Sequence, residues 1–138
     1  MVFLNNLLEI MSRLRDPKNG CPWDIEQTFE TIAPFTIEEA YEVHEAISNN
    51  NYNNLKDELG DLVLQIVLQS HIAEESKRFC FEDVVESICT KMIKRHPHVF
   101  GNAKIESVNE QLTSWEDIKA KEREVESENQ AESLSLIH

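Results

Sequence analysis

Two acidic segments, Thr36-Ile-Glu-Glu-Ala-Tyr-Glu42 and Asp57-Glu-Leu-Gly-Asp61, decide how this chain folds; an asparagine-rich break separates them. Glu38, Glu39 and Glu42 fall on one predicted helix, Glu58 and Asp61 on the next. Residues three or four apart share a helix face, so Glu39 with Glu42, and Glu58 with Asp61, each form a carboxylate edge. The break from Ser48 to Asn54 holds five asparagines, a residue that tolerates turn geometry and competes with helical hydrogen bonding. At a rise of ~1.5 Å per residue, Glu42 and Glu58 each lie roughly 6–9 Å from the end of the hairpin. They stand nearly level in an antiparallel pair. Carboxylates gathered in this way repel one another unless a cation neutralises them, so the segment predicts a divalent metal site.

Working outward, a chain of 138 residues is the size of one domain with a proper core. Three glycines, four prolines and the lack of alternating apolar runs favour an all-α protein. A net charge of −13 and a pI near 4.7 oppose nonspecific binding to nucleic acid or to anionic membranes. Cys21, Cys80 and Cys89 are odd in number and lack metal-knuckle spacing, which reads as reduced thiols in a cytoplasmic protein. The Met-Val-Phe-Leu start has no basic region followed by a long apolar run, so it is not read as a signal peptide. No apolar run approaches the ~20 residues that span a bilayer.

Leu4, Leu7, Leu8, Met11 and Leu14 predict a first helix over residues 1–14. A loop carrying Cys21-Pro-Trp-Asp24 follows, with Trp23 anchoring it. A short turn over 28–32 is expected to stop at Pro34, and the second main helix to start near Thr36. Thr36 and Glu39 fit a capping box, which gives Glu39 two readings, cap or ligand. Ile37, Ala40, Tyr41, His44 and Ile47 form the apolar stripe expected to pack. The third helix, about 54–77, is apolar around most of its circumference, so it needs cover on several sides. That predicts a homodimer or a dimer of dimers. Gly60, costly inside a helix, would admit a close neighbour there. A fourth helix over 81–95 places Val84, Val85, Ile88 and Met92 inward. A last helix begins near Ser107, where Ser107 and Glu110 fit a second capping box. The domain is drawn over 1–121, with an acidic, flexible tail over 122–138.

A Glu-Glu-x-x-Glu run by itself is commonly a solvated face; the second acidic pair turns it into a candidate site. Hard oxygen ligands without His or Cys suit Mg2+ or Mn2+. Lys91 and Arg95 share a helix face and Lys119 follows Trp115 by four. These cations either complement a helix C-terminus or clamp a phosphate. Trp115 either stacks on a base or buries itself. His96 and His98 read as structural hydrogen-bonding groups, His44 and His71 as core or interface residues. With no Gly-rich phosphate loop, nucleophile elbow or Cys–His signature, covalent catalysis is disfavoured and metal-assisted attack by water remains.

From about Leu7 to Lys121 the sequence resembles the MazG family of nucleoside triphosphate pyrophosphohydrolases. The likeness rests on Gly-Cys-Pro-Trp-Asp at 20–24, Gln-Thr-Phe-Glu-Thr-Ile-Ala-Pro at 27–34 and Glu-Glu-Ala-Tyr-Glu-Val at 38–43. Asp-Glu-Leu-Gly-Asp-Leu at 57–62, Arg-His-Pro-His-Val-Phe-Gly at 95–101 and Trp115-Glu-x-x-Lys119 complete it. The resemblance implies an antiparallel helical bundle that dimerises and cleaves nucleoside triphosphates between the α and β phosphates with Mg2+. It implies Glu39, Glu42, Glu58 and Asp61 as metal ligands, with Glu38 assisting as a base or through a second metal. It implies Lys91, Arg95 and Lys119 on phosphates and Trp115 against the nucleoside. Many members carry two such domains, and these motifs resemble the N-terminal copy. A catalytically weak dimerisation or regulatory module is therefore the competing expectation.

Overall fold

A computed structural model describes residues 1–137, with side chains through 131. It contains α1 (Val2–Leu14), α2 (Pro22–Glu26), α3 (Phe29–Ser48), α4 (Tyr52–Glu75), α5 (Phe81–Arg95), α6 (Pro97–Phe100) and α7 (Val108–Ile137). No strand occurs among the described residues. The chain divides into two units, one from Met1 to Val85 and the other from Glu86 onward.

In the first unit α3 and α4 form the expected hairpin, but α3 starts seven residues before Thr36. Thr28 is its N-cap. The Thr28 hydroxyl accepts from the Thr31 amide at 3.3 Å, while the Thr31 hydroxyl accepts from the Thr28 amide at 2.8 Å. Pro34 sits inside the helix instead of ending it. It forfeits one hydrogen bond, a cost of ~3 kcal/mol in an isolated helix, which the doubled cap and the packing of Ile32 offset. Thr36 is therefore no cap: its hydroxyl accepts from Gln69 Nε2 of α4 at 2.7 Å. The helices are joined by Asn49–Asn51. Asn50 takes the left-handed conformation (φ 54°) that asparagine tolerates, and Asn51 Oδ1 caps α4 by accepting from the Asn54 amide.

The buried residues of α1, α3 and α4 meet in one core of Met11, Ile32, Val67, Leu68 and Ile72, with Leu7, Leu8, Phe29, Leu64 and Phe81 packed against it. The α1 stripe lies where its periodicity placed it. The α3 stripe does not: Ile37, Ala40, Tyr41, His44 and Ile47 are exposed. The face that packs instead carries Ile32, Thr36, Glu39, Val43 and Ala46. These residues also follow the three-and-four spacing of one helix face, but two of them are polar. On α4, Leu59, Val63 and Ile66 likewise stay exposed while Val67, Leu68, Ser70, Ile72 and Ala73 are buried.

Arg15 fastens the end of α1 to two other segments. Its Nε and one terminal nitrogen donate to the Glu75 carboxylate, both at 2.7 Å. The other terminal nitrogen donates to the carbonyls of Asp24 at 2.6 Å and Gln27 at 3.1 Å. His71 Nε2 approaches the same Glu75 carboxylate at 3.3 Å. Gly20 lies so close to the Leu14 and Asp16 backbone that a Cβ there would collide with it. Trp23 is half exposed and meets Phe35 edge-on at 5.9 Å, tying α2 to α3 at the surface and not in the core. Gly60 has open space around it, so no close neighbour explains it.

α5 spans the expected residues but buries none of them; Val85, Ile88 and Met92 are exposed and Val84 is half-buried. In the second unit α7 is capped by Ser107, whose hydroxyl accepts from the Glu110 amide at 3.2 Å. The Glu110 carboxylate reaches one residue further back than a capping box requires, to the Glu106 amide at 2.9 Å. α7 continues through residues 122–137, the stretch set apart in sequence as a tail; His138 lies outside the described residues. The three cysteines are unpaired thiols. No helix among the described residues is long and apolar enough to cross a membrane.

Candidate metal centre

The inverted stripe of α3 is what builds the site. Because Thr36 and Glu39 lie on the face turned to α4, Glu39 is carried into the seam beside Glu58 and Asp61. One carboxylate oxygen from each of the three lies within 4.8 Å of the others. Glu39 and Glu58 are half-buried and Asp61 is exposed. Glu42 is half-buried on the same side of α3 and Glu38 is exposed; neither belongs to the close group. Glu39 does not serve as a cap, since α3 begins at Phe29.

The group is electrostatically unrelieved. Partial desolvation, then the charges of Asp61, Glu58, Glu38 and Glu42, push the Glu39 carboxyl above its ordinary value. Desolvation, then Glu42, Asp61, Asp57 and Glu45, does the same for Glu58. Like charges held this close disfavour ionisation, and a hard divalent cation reverses that preference. An all-oxygen donor set with water-accessible Asp61 fits such a cation. The Gln69–Thr36 hydrogen bond was not foreseen as part of the site; it lies one helical turn from Glu39 and ties α3 to α4 there. Only its position on the three-and-four stripe could have signalled it.

The expected phosphate and nucleoside residues all belong to the second unit. Lys91 is exposed on α5. Arg95 donates to the Glu122 carboxylate of α7 at 3.0 Å. Its Nε is buried with no partner among the described residues, as are Trp115 Nε1 and His98 Nδ1. The His96 ring meets Trp115 edge-on, with centroids 5.3 Å apart, while its Nδ1 lies 2.6 Å from the Met92 carbonyl. Lys119 lies 3.6 Å from Glu116 on its own helix. Arg95 is thus bound to a carboxylate, not merely placed at a helix end. Glu122 was missed because nothing local in sequence links it to Arg95.

A sequence profile of the MazG nucleotide pyrophosphohydrolase domain matches residues 27–100, which include the whole α3–α4 hairpin. A nucleoside triphosphate pyrophosphohydrolase from Escherichia coli K12 is 49% identical over 128 residues, covering 93% of this chain and 49% of the relative. A nucleoside triphosphate pyrophosphohydrolase/pyrophosphatase MazG from Thermotoga maritima is 45% identical over 122 residues, covering 88% and 46%. The chain thus spans about half the length of these curated relatives. The crystal structure of a mazG-related protein from Thermotoga maritima superposes with a TM-score of 0.69 at 32% identity, covering 84% of this chain and 98% of that one. Fold, motifs and residue identity agree: the chain belongs to the MazG nucleotide pyrophosphohydrolase family.

Proposed function

We propose that the protein hydrolyses nucleoside triphosphates between the α and β phosphates, releasing a nucleoside monophosphate and pyrophosphate, with Mg2+ as cofactor and Mn2+ as a substitute. The observation that carries this reading is the group of Glu39, Glu58 and Asp61 oxygens within 4.8 Å of one another. Those three side chains would hold the cation, with Glu42 adding charge from α3. When bound, Mg2+ would neutralise charge on the phosphate oxygens and on the pyrophosphate leaving group. As the water oxygen bonds to the α phosphorus and the bridging P–O bond breaks to release pyrophosphate, a carboxylate accepts the proton of the water, and Glu38, outside the close group, is the residue we assign to that step. Lys91, Arg95 and Lys119 bind phosphate oxygens, and Trp115 lies against the nucleoside. The reading of Cys21, Cys80 and Cys89 as reduced thiols supports a cytoplasmic enzyme, and the acidic balance of the chain supports one with no nucleic-acid or membrane partner.

The test is pyrophosphate release from a mixed triphosphate pool with and without Mg2+. Mg2+-dependent pyrophosphate is the expected product; orthophosphate alone would point to a different phosphohydrolase. A second reading is favoured by the exposed apolar residues Ile37, Tyr41 and Ile47 of α3 and Leu59, Val63 and Ile66 of α4. We propose that they support a homodimer or dimer of dimers. If neither phosphate product forms, a dimerisation or regulatory module becomes the better description.

A further inference from the structure

We infer that Glu122 is a positioning residue for Arg95: its carboxylate holds the guanidinium by one N–H and leaves the rest of it to bind a substrate phosphate. The inference rests on the assignment of Arg95 to phosphate proposed above. The pair joins α5 to α7 at 3.0 Å, and both side chains are well sheltered, 21% and 24% exposed. Arg95 Nε is buried without a partner among the described residues, and Trp115 Nε1 on α7 is likewise buried and unpartnered among them. Each is an N–H that can only donate. A buried donor left unmade is costly, and a phosphate oxygen that reached it would remove that cost.

An arginine at the end of a helix has four torsions to restrain, and ordering such a side chain on binding weakens affinity. Glu122 restrains them beforehand. A carboxylate beside an anion site also subtracts attraction, but here it is outnumbered. Glu122 is held below its ordinary carboxyl value by its hydrogen bond to Arg95 and by the charges of Arg95, Lys94 and Lys91. Lys91 and Lys94 thus add positive charge to that of Arg95 around this carboxylate, and the positioning role requires that orientation outweigh the lost charge. The guanidinium is also planar, with a fixed fork of donors, so occupying one N–H sets the direction of the others.

The test uses the full chain with Mg2+ and two readouts: the steady-state KM and kcat for a nucleoside triphosphate, and the equilibrium affinity for an analogue with a methylene between the α and β phosphorus. Glu122→Ala is expected to raise KM and weaken analogue binding by about tenfold, with kcat within about twofold of wild type. Arg95→Ala is expected to weaken both by at least as much, and the double substitution to be no worse than Arg95→Ala alone. Unchanged or tighter binding by Glu122→Ala overturns the inference, as do additive effects in the double mutant. If Arg95→Ala itself binds the analogue like wild type, the phosphate assignment fails and the positioning role fails with it. Weak binding by Arg95→Ala beside wild-type binding by Glu122→Ala overturns the positioning role alone. Should Glu122→Ala fail to fold, Glu122→Gln carries the test: it keeps an acceptor but not the charge, and is expected to weaken binding about threefold. Wild-type affinity in that variant overturns the inference.

Discussion

The α3–α4 hairpin and the α5–α7 region treat charge in opposite ways. In the hairpin, Glu39, Glu58 and Asp61 are brought together, and Glu39 and Glu58 are pushed up by desolvation and by neighbouring negative charge. In the second unit a carboxylate meets an arginine, Glu122 is pulled down, and N–H donors are left over. One region is short of positive charge and the other holds unused donors. On the reading proposed above, the first region would take a hard cation and the second an anion.

Breaking the acidic group should have the largest effect. Glu58→Gln is expected to lower Mg2+-dependent pyrophosphate release by at least about 100-fold, and Glu42→Gln, outside the close group, by about tenfold. Equal losses in the two variants would show that Glu42 is a full member of the group. Arg15→Ala tests whether any arginine–glutamate pair behaves like Arg95–Glu122. Arg15 holds Glu75 and two carbonyls far from the acidic group in sequence, so its loss should appear as stability alone. We expect about 2–3 kcal/mol by chemical denaturation, toward the lower figure because Glu75 is 41% exposed, with KM unchanged in the folded fraction.

The smallest effect tests the sign of the electrostatics. Glu39 has a raised carboxyl, so its contribution to stability is present below the ordinary value of 4.5 and is lost as pH rises through the folded value. Glu75 is lowered, first by its hydrogen bond to Arg15, so its contribution is present above that range and lost as pH falls through the folded value. In EDTA at neutral pH, Glu39→Gln should therefore raise Tm by about 2 °C, whereas Glu75→Gln should lower it. Adding Mg2+ should stabilise wild type and do less for Glu39→Gln, because a ligand stabilises only the state that binds it. A Glu39→Gln protein less stable than wild type in EDTA would contradict the charge-repulsion account.

Several of these features were legible from local spacing. The hairpin, the acidic pairs, the span of α5 and the start of α7 follow from residues within one or two turns of each other. The family could also be read directly, because its motifs are contiguous. Other features were not legible. Pro34 looked like a break because the local rule weighs its missing hydrogen bond, whereas the Thr28–Thr31 cap and the burial of Ile32 lie outside that rule. That misplaced start led to Glu39 being considered as a cap.

Local spacing in the chain settles that this protein is helical, that the asparagine-rich stretch turns α3 into α4, and that two pairs of carboxylates lie on those two consecutive helices. Those properties depend on neighbours three or four residues apart. Which face of α3 meets α4 is set by the packing of the helices. Hydropathy marks Ile37, Tyr41 and Ile47 as apolar but cannot say that α4 packs on the other side, against Ile32, Thr36, Glu39, Val43 and Ala46. That choice depends on how whole helices fit together, and it is what carries Glu39 to Glu58 and Asp61. The Arg95–Glu122 pair has the same origin: the two residues are 27 apart in sequence, and only packing brings them into contact.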